Sequence, residues 1–169
     1  MAIDASQKEM AKEITQFRSK EFIINNVIGP TKGKSIRFET ESLASDNSTG
    51  LISVAFNCTE VNERGLLLAF FGKNRDETGH AVQAYGFRYI PLKEAQDFFK
   101  RINQVKAENK DYISDVRDVN NVYVEHEDIK LVIYRDSGEQ IRVFWNGFEV
   151  IWEKSAFDKT EKRLDKWFN

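Results

Sequence analysis

The sequence contains a single cysteine, two prolines and two histidines among its 169 residues. Because Cys58 has no second cysteine to pair with, an intramolecular disulfide is excluded and a reducing compartment is favoured, so we expect a cytoplasmic protein. A structural zinc site built from Cys and His side chains takes four ligands, which is more than the chain contains. We therefore predict no metal site and no cofactor.

The sequence also lacks a long hydrophobic run. No stretch reaches the roughly 18 consecutive apolar residues that a membrane-spanning helix needs. The first residues, MAIDASQKEMAKEI, are polar where a signal peptide would be apolar. We therefore expect a soluble protein with neither a membrane partner nor an export signal.

Charge of one sign is also scarce, since the formal net charge is only −2, from 27 acidic and 25 basic side chains. A dedicated duplex-DNA binder usually has a strongly basic domain, so the composition argues against that class. Aromatic residues are abundant by contrast, with thirteen Phe, five Tyr and three Trp. These rings predict either an aromatic core or an aromatic binding surface.

The order of apolar patterns predicts three helices and two groups of strands. Residues 1–20 have the pattern of an amphipathic helix. Residues 34–108 contain four strand-like segments and then a helix, and residues 121–169 contain three or four strands and then a helix. We predict an α+β fold in a single domain, residues 1–169, with two antiparallel β-meanders each followed by a helix, plus the N-terminal helix.

Three local signals support this order. The dipeptide Asn146-Gly147 lies between two strand-like segments and is a strong signal of a β-hairpin. Pro91 suits the first turn of a helix, where its missing N–H costs nothing. Apolar residues form one stripe on that helix and another on the N-terminal helix: Leu92, Ala95, Phe98, Phe99, Ile102 and Val105, and Met10, Ile14 and Phe17.

This order of elements resembles two known architectures. It is similar to the twice-repeated layout of four strands and a helix in the Whirly and Pur-type proteins, which bind single-stranded nucleic acid. It also resembles a pleckstrin-homology-like barrel closed by a C-terminal helix. Both resemblances concern topology, and topology alone does not establish function.

The sequence contains no motif that names a reaction, so we expect a protein that is not an enzyme. The segment Gly29–Ser35 has three residues between its glycines where a phosphate-binding P-loop has four, and a strand pattern follows it instead of a helix. His126 lies among the carboxylates of Glu125, Glu127 and Asp128, which could share a cation with it. We interpret that segment as a solvated turn between two strands.

Our leading hypothesis is a non-enzymatic protein–protein interaction module, such as a small adaptor, an inhibitor or an immunity-type protein. Aromatic side chains surrounded by charges are typical of an interface core and its rim. Because successive strand residues point to opposite faces, either Phe144 or Trp145 should be partly exposed unless a helix covers it. The candidate partner-binding residues are Trp145, Trp152, Phe148, Arg142 and Tyr134.

Two alternatives use other residues. Basic and aromatic side chains interleaved on strands suit single-stranded DNA or RNA, because bases stack on rings while Lys and Arg contact phosphates. The candidates for that function are Arg37, Lys73, Arg75, Tyr85, Arg88 and Arg142. The other alternative is a small-ligand binder or an enzyme with an unrecognised site. Exposed strand edges could also pair two copies into a homo-oligomer.

Overall fold

The computed structural model describes residues 5–46, 50–75 and 78–169. The chain begins with a helical segment in which α-helical and π-helical stretches alternate. Its α-helices are α1 (Ala5–Glu13) and α2 (Ser19–Ile23), and the π-helical stretches are Ile14–Arg18 and Ile24–Ile28. The predicted N-terminal helix is therefore confirmed and continues to Ile28.

Eight strands in two groups of four follow in the described residues. The first group is β1 (Glu39–Asp46), β2 (Leu51–Cys58), β3 (Glu63–Arg75) and β4 (Ala81–Pro91). Two helices come next, α3 (Leu92–Glu108) and α4 (Lys110–Ile113). The second group is β5 (Asn121–His126), β6 (Ile129–Arg135), β7 (Glu139–Trp145) and β8 (Phe148–Trp152), and helix α5 (Lys154–Phe168) follows it.

All strand pairs are antiparallel, and the two meanders join at one point. The order across the sheet is β1-β2-β3-β8-β7-β6-β5, and β4 pairs with the other edge of β3. The link between the meanders is the pairing of Asn74 on β3 with Phe148 on β8. The predicted α+β class is confirmed. The closer likeness to Whirly, Pur-type or pleckstrin-homology proteins, and the assignment to a single domain, stay predictions.

The hairpin predicted at Asn146-Gly147 is confirmed. Both residues have positive φ, 47° and 84°, as a two-residue type I′ turn requires. The turn sets Trp145 opposite Phe148 in the register of β7 and β8. Both side chains therefore lie on the same face of the second meander.

The central strands of the first meander, β2 and β3, are buried on both faces over Leu51–Phe56 and Gly65–Phe71, which explains why they are almost entirely apolar there. On one face, Ile14 and Ile23 of the N-terminal segment are fully buried against it, and Phe22 lies 5.2 Å from Phe87 between ring centroids. The opposite face packs on α3, α5 and the second meander. A strand that is buried on both faces has apolar residues at successive positions, because neither face contacts water.

One prediction for the N-terminal helix is wrong in detail. Phe17, expected beside Ile14 on the apolar face, is 57% exposed. Phe17 lies in a π-helical stretch, where i→i+5 hydrogen bonding widens the turn and rotates residues away from the α-helical stripe. The stripe on α3 is confirmed, since Ala95, Phe98, Phe99 and Ile102 are buried.

Two further features complete the fold. The segment between α3 and β5 contains the short helix α4, whose Ile113 is buried. None of the described helices combines the length and the apolar character needed to cross a lipid bilayer.

An aromatic cluster packs the first meander against the second. Phe70 on β3 lies 4.9 Å from Trp145 and 6.1 Å from Phe148, measured between ring centroids. Its cross-strand partner is Gly86, and a Cβ added there would lie only 3.1 Å from Trp145 Cζ3 and 3.2 Å from Phe148 Cε2. Because Gly86 has no side chain, the two rings can pack against its backbone.

We predict that Phe70→Ala lowers the free energy of unfolding by about 3 to 5 kcal/mol, because it leaves a cavity beneath both rings. The matched control is Phe17→Ala, which removes an exposed ring and should change stability by no more than about 0.5 kcal/mol. Chemical denaturation followed by tryptophan fluorescence measures both. Equal losses in the two variants would contradict the central position of Phe70.

Candidate functional site

The outward side of the second meander presents two exposed aromatic rings on one sheet face. Strand alternation sends one set of side chains into the core and the other outward. Tyr123 is 57% exposed and Phe144 is 36% exposed, so the surface is uncovered at both positions. We call this surface the open face, and its outward residues are Tyr123, Glu125, Lys130, Val132, Tyr134, Gln140, Arg142, Phe144, Glu149 and Ile151.

The strand register arranges these residues in rows across the sheet. One row runs from Tyr123 through Val132 and Arg142 to Ile151. The neighbouring row runs from Glu125 through Lys130 and Phe144 to Glu149. Each apolar residue of one row therefore lies beside a charged residue of the other row.

Arg142 is held in place by its neighbours on the open face. Its Nη1 donates to Glu149 Oε1 at 2.7 Å, and its Nη2 donates to the Tyr134 hydroxyl at 3.3 Å. The hydrogen bond with Tyr134 raises the pKa of Arg142, and the bond with Glu149 adds to this rise. These two hydrogen bonds fix the guanidinium on the sheet, with its Cζ 6.0 Å from the Tyr134 ring centroid.

Tyr123 lies at the edge strand of the same face. Its hydroxyl donates to Glu125 Oε2 at 2.7 Å, and this hydrogen bond raises the pKa of Tyr123. The phenol is therefore neutral at physiological pH. It offers a partner a flat ring with a polar end.

Three of the five predicted partner-binding residues lie in the core instead. Trp145, Phe148 and Trp152 are 9%, 4% and 2% exposed. The hairpin register points their side chains inward, where they pack against α3, α5 and the first meander. As placed in this structure these rings are enclosed, and their part in partner binding stays a prediction.

The other two, Arg142 and Tyr134, lie on the open face. The expectation for the adjacent pair Phe144 and Trp145 is confirmed, with Phe144 as the exposed ring. Tyr123, Val132 and Ile151 were missed. The sequence does contain a signal for them. Ile129, Leu131 and Ile133 are alternate aliphatic residues that should point into the core, so Val132 and its cross-strand neighbours should point outward.

The residues proposed for nucleic acid are not brought together. Lys73 and Arg75 lie exposed at the end of β3, whereas Arg37 lies beside Cys58 and Glu60 at the opposite end of the same meander. Tyr85 is 41% exposed on the face that packs against the N-terminal helix. The remaining two, Arg88 and Arg142, are both engaged in ion pairs.

A cleft of about 790 Å³ lies where the two meanders meet, next to the open face. Lys73 and Arg75 line it from β3, and Lys130 and Phe144 line it from the second meander. The carboxylates of Asp128 and Glu149 also line it. The cleft is therefore of mixed charge and extends the open face toward the first meander.

A hydrogen-bonded network crosses from one meander to the other behind this cleft. Arg88 on β4 contacts two carboxylates of the β5–β6 turn, Glu127 at 2.6 Å and Asp128 at 2.8 Å. Trp145 Nε1 donates to the second oxygen of Asp128 at 2.8 Å. Burial works to raise the pKa of Asp128, but the hydrogen bonds from Trp145 and Arg88 outweigh it and leave the pKa below its ordinary value.

His126 lies beside this network. Its Nε2 is 3.1 Å from Glu94 Oε1 on α3, and its ring packs edge-on against Phe98 at 5.3 Å. Metal-ligating atoms of Glu94, His126 and Glu127 all lie within 4.8 Å of one another. The sequence indicated the carboxylates next to His126, but only the tertiary structure brings Glu94 to it.

A scan against protein-family models, a search of curated proteins and a search of solved structures each found no match for this chain. Its class is therefore defined by its fold and its candidate site. It is an α+β protein in which the central strands of one meander are buried on both faces and the other meander presents an open face.

We predict that Asp128→Asn lowers the free energy of unfolding by about 1 kcal/mol at neutral pH. The carboxylate is 59% exposed, so water screens the ion pair with Arg88 and keeps its contribution small. Because the folded pKa is depressed, this contribution is present above the ordinary pKa of 3.8 and is lost as the pH falls through the lower folded value.

Denaturation curves of both proteins from neutral to acidic pH measure this difference. It should stay constant down to about pH 5 and then shrink, since the carboxylate becomes protonated. Asp111→Asn, at an exposed position on α4, is the control and should show no such change. A difference that grows at acidic pH would contradict the network.

Proposed function

We propose that this protein is a non-enzymatic protein–protein interaction module that binds its partner on the open face. The observation that carries the proposal is the exposure of Tyr123 and Phe144 on a sheet whose other face is anchored in the core. Exposed aromatic rings on a rigid surface lose little conformational entropy on binding. They therefore suit the role of interface anchors.

The charges of the open face favour a protein over a nucleic acid. Its charged side chains are two acids, Glu125 and Glu149, and two bases, Lys130 and Arg142, so its formal charge is zero. Arg142 is already engaged with Glu149 and Tyr134. A surface that must follow phosphates needs an excess of cations free to contact them.

The composition of the face also indicates what the partner presents. Val132 on β6 lies between the strands of the two exposed rings, Ile151 lies on the next strand, β8, and both are half-buried, so the face also accepts apolar side chains. The charges of both signs around them favour a partner whose own charges alternate. An adaptor, an inhibitor or an immunity-type protein in a reducing compartment fits this description.

Single-stranded nucleic acid is a second candidate, and the cleft is the observation that favours it. Lys73, Arg75 and Lys130 line the cleft around the exposed ring of Phe144, an arrangement on which a base could stack beside phosphates. Asp128 and Glu149 in the same lining oppose it. Salt dependence separates the two candidates, because phosphate contacts weaken steeply as salt rises.

We predict that Tyr123→Ala and Phe144→Ala each weaken partner binding by about tenfold or more, because aromatic anchors are typical interface hot spots. Both side chains are exposed, so the melting temperature should stay close to that of the wild type. The measurement is capture from the native lysate on immobilised wild type and variants, with and without nuclease, followed by titration with the purified partner.

Tyr112→Ala is the matched control, since Tyr112 on α4 is 51% exposed and lies away from the open face. It should capture the partner as the wild type does. Equal capture by all variants would contradict the open face as the site. Loss of every captured species on nuclease treatment would favour the nucleic-acid alternative, and capture of a second copy would identify a homo-oligomer.

A further inference from the structure

We propose that Glu94, His126 and Glu127 bind a divalent transition-metal ion, with zinc the best match to their chemistry. The proposal is independent of the open face and of the partner. It concerns the place where the first turn of α3 meets the β5–β6 turn. From the sequence, the carboxylates beside His126 are interpreted as a solvated turn, but the structure adds Glu94 of α3 beside the imidazole, and carboxylates ligate zinc.

The geometry of two of the ligands is already close to that of a zinc site. His126 Nε2 and Glu94 Oε1 are 3.1 Å apart. Two donors bound to one tetrahedral zinc at ordinary bond lengths are roughly 3.4 Å apart. The third donor, from Glu127, lies within 4.8 Å of both.

The surroundings of His126 and Glu127 support ligation. Phe98 packs edge-on against the imidazole and limits its rotation. Arg88 Nη2 holds Glu127 Oε2 at 2.6 Å, so it orients the carboxylate and leaves the other oxygen for a metal, as outer partners commonly do.

The donor set selects the kind of metal. An imidazole nitrogen with two carboxylate oxygens suits zinc and similar transition metals, whereas calcium and magnesium prefer oxygen donors alone. Three protein ligands leave a fourth position for water. A metal bound here would join α3, which follows the first meander, to the second meander, and would therefore stabilise the packing of the two.

The test is isothermal titration of the metal-free full chain with zinc chloride near neutral pH, together with thermal denaturation. We expect equimolar binding and a higher melting temperature for the wild type. His126→Gln and Glu94→Gln should each weaken zinc binding by about tenfold or more. Loss of a residue that only hydrogen-bonds to a metal ligand already costs about tenfold, and loss of a ligand should cost at least as much. Without zinc, both variants should melt close to the wild type, which shows that they fold.

His80→Gln is the matched control, because His80 is the other histidine of the chain and is exposed. The only cysteine, Cys58, is buried. Zinc binding that persists in this control, and is lost in the two site variants, supports the proposal. Absence of binding by the wild type, or binding that survives either site substitution unchanged, overturns it. Loss in the His80 control alone would also overturn it.

Discussion

The packing of Trp145 and Phe148 against Phe70, across the bare backbone of Gly86, is the contact on which the arrangement of the two meanders depends. The backbone link is slight, since β3 and β8 share a single residue pair. Ring packing and burial must therefore supply most of the attraction between the meanders. The turn at Asn146-Gly147 places both rings at this position, because it pairs Trp145 with Phe148.

The open face follows from this arrangement. The second meander packs against α3, α5 and the first meander on one side. Within the described residues no element covers its other side, so the outward residues there face solvent. The polar network of Arg88, Asp128 and Trp145 fixes the same sheet at its β5–β6 turn. A binding surface held in this way is preorganised, which reduces the entropy lost on association.

The same turn supplies both the network and the candidate metal ligands. Glu127 contacts Arg88 on one side and lies within reach of Glu94 and His126 on the other. Its φ of 50° is a left-handed value that side chains other than glycine seldom adopt. The β5–β6 turn is therefore a point where the packing of the two meanders and the proposed metal site meet.

Local signals in the sequence determined much of the fold. The order of the elements, the hairpin at Asn146-Gly147 and the stripe on α3 were predictable, because neighbouring residues set periodicity and turn conformation. The parity of β6 could also have identified Val132 as outward. Only the tertiary structure decided which rings were enclosed, which carboxylates Arg88 contacts and that Glu94 meets His126. These contacts join residues more than thirty positions apart, and no local pattern encodes such a distance.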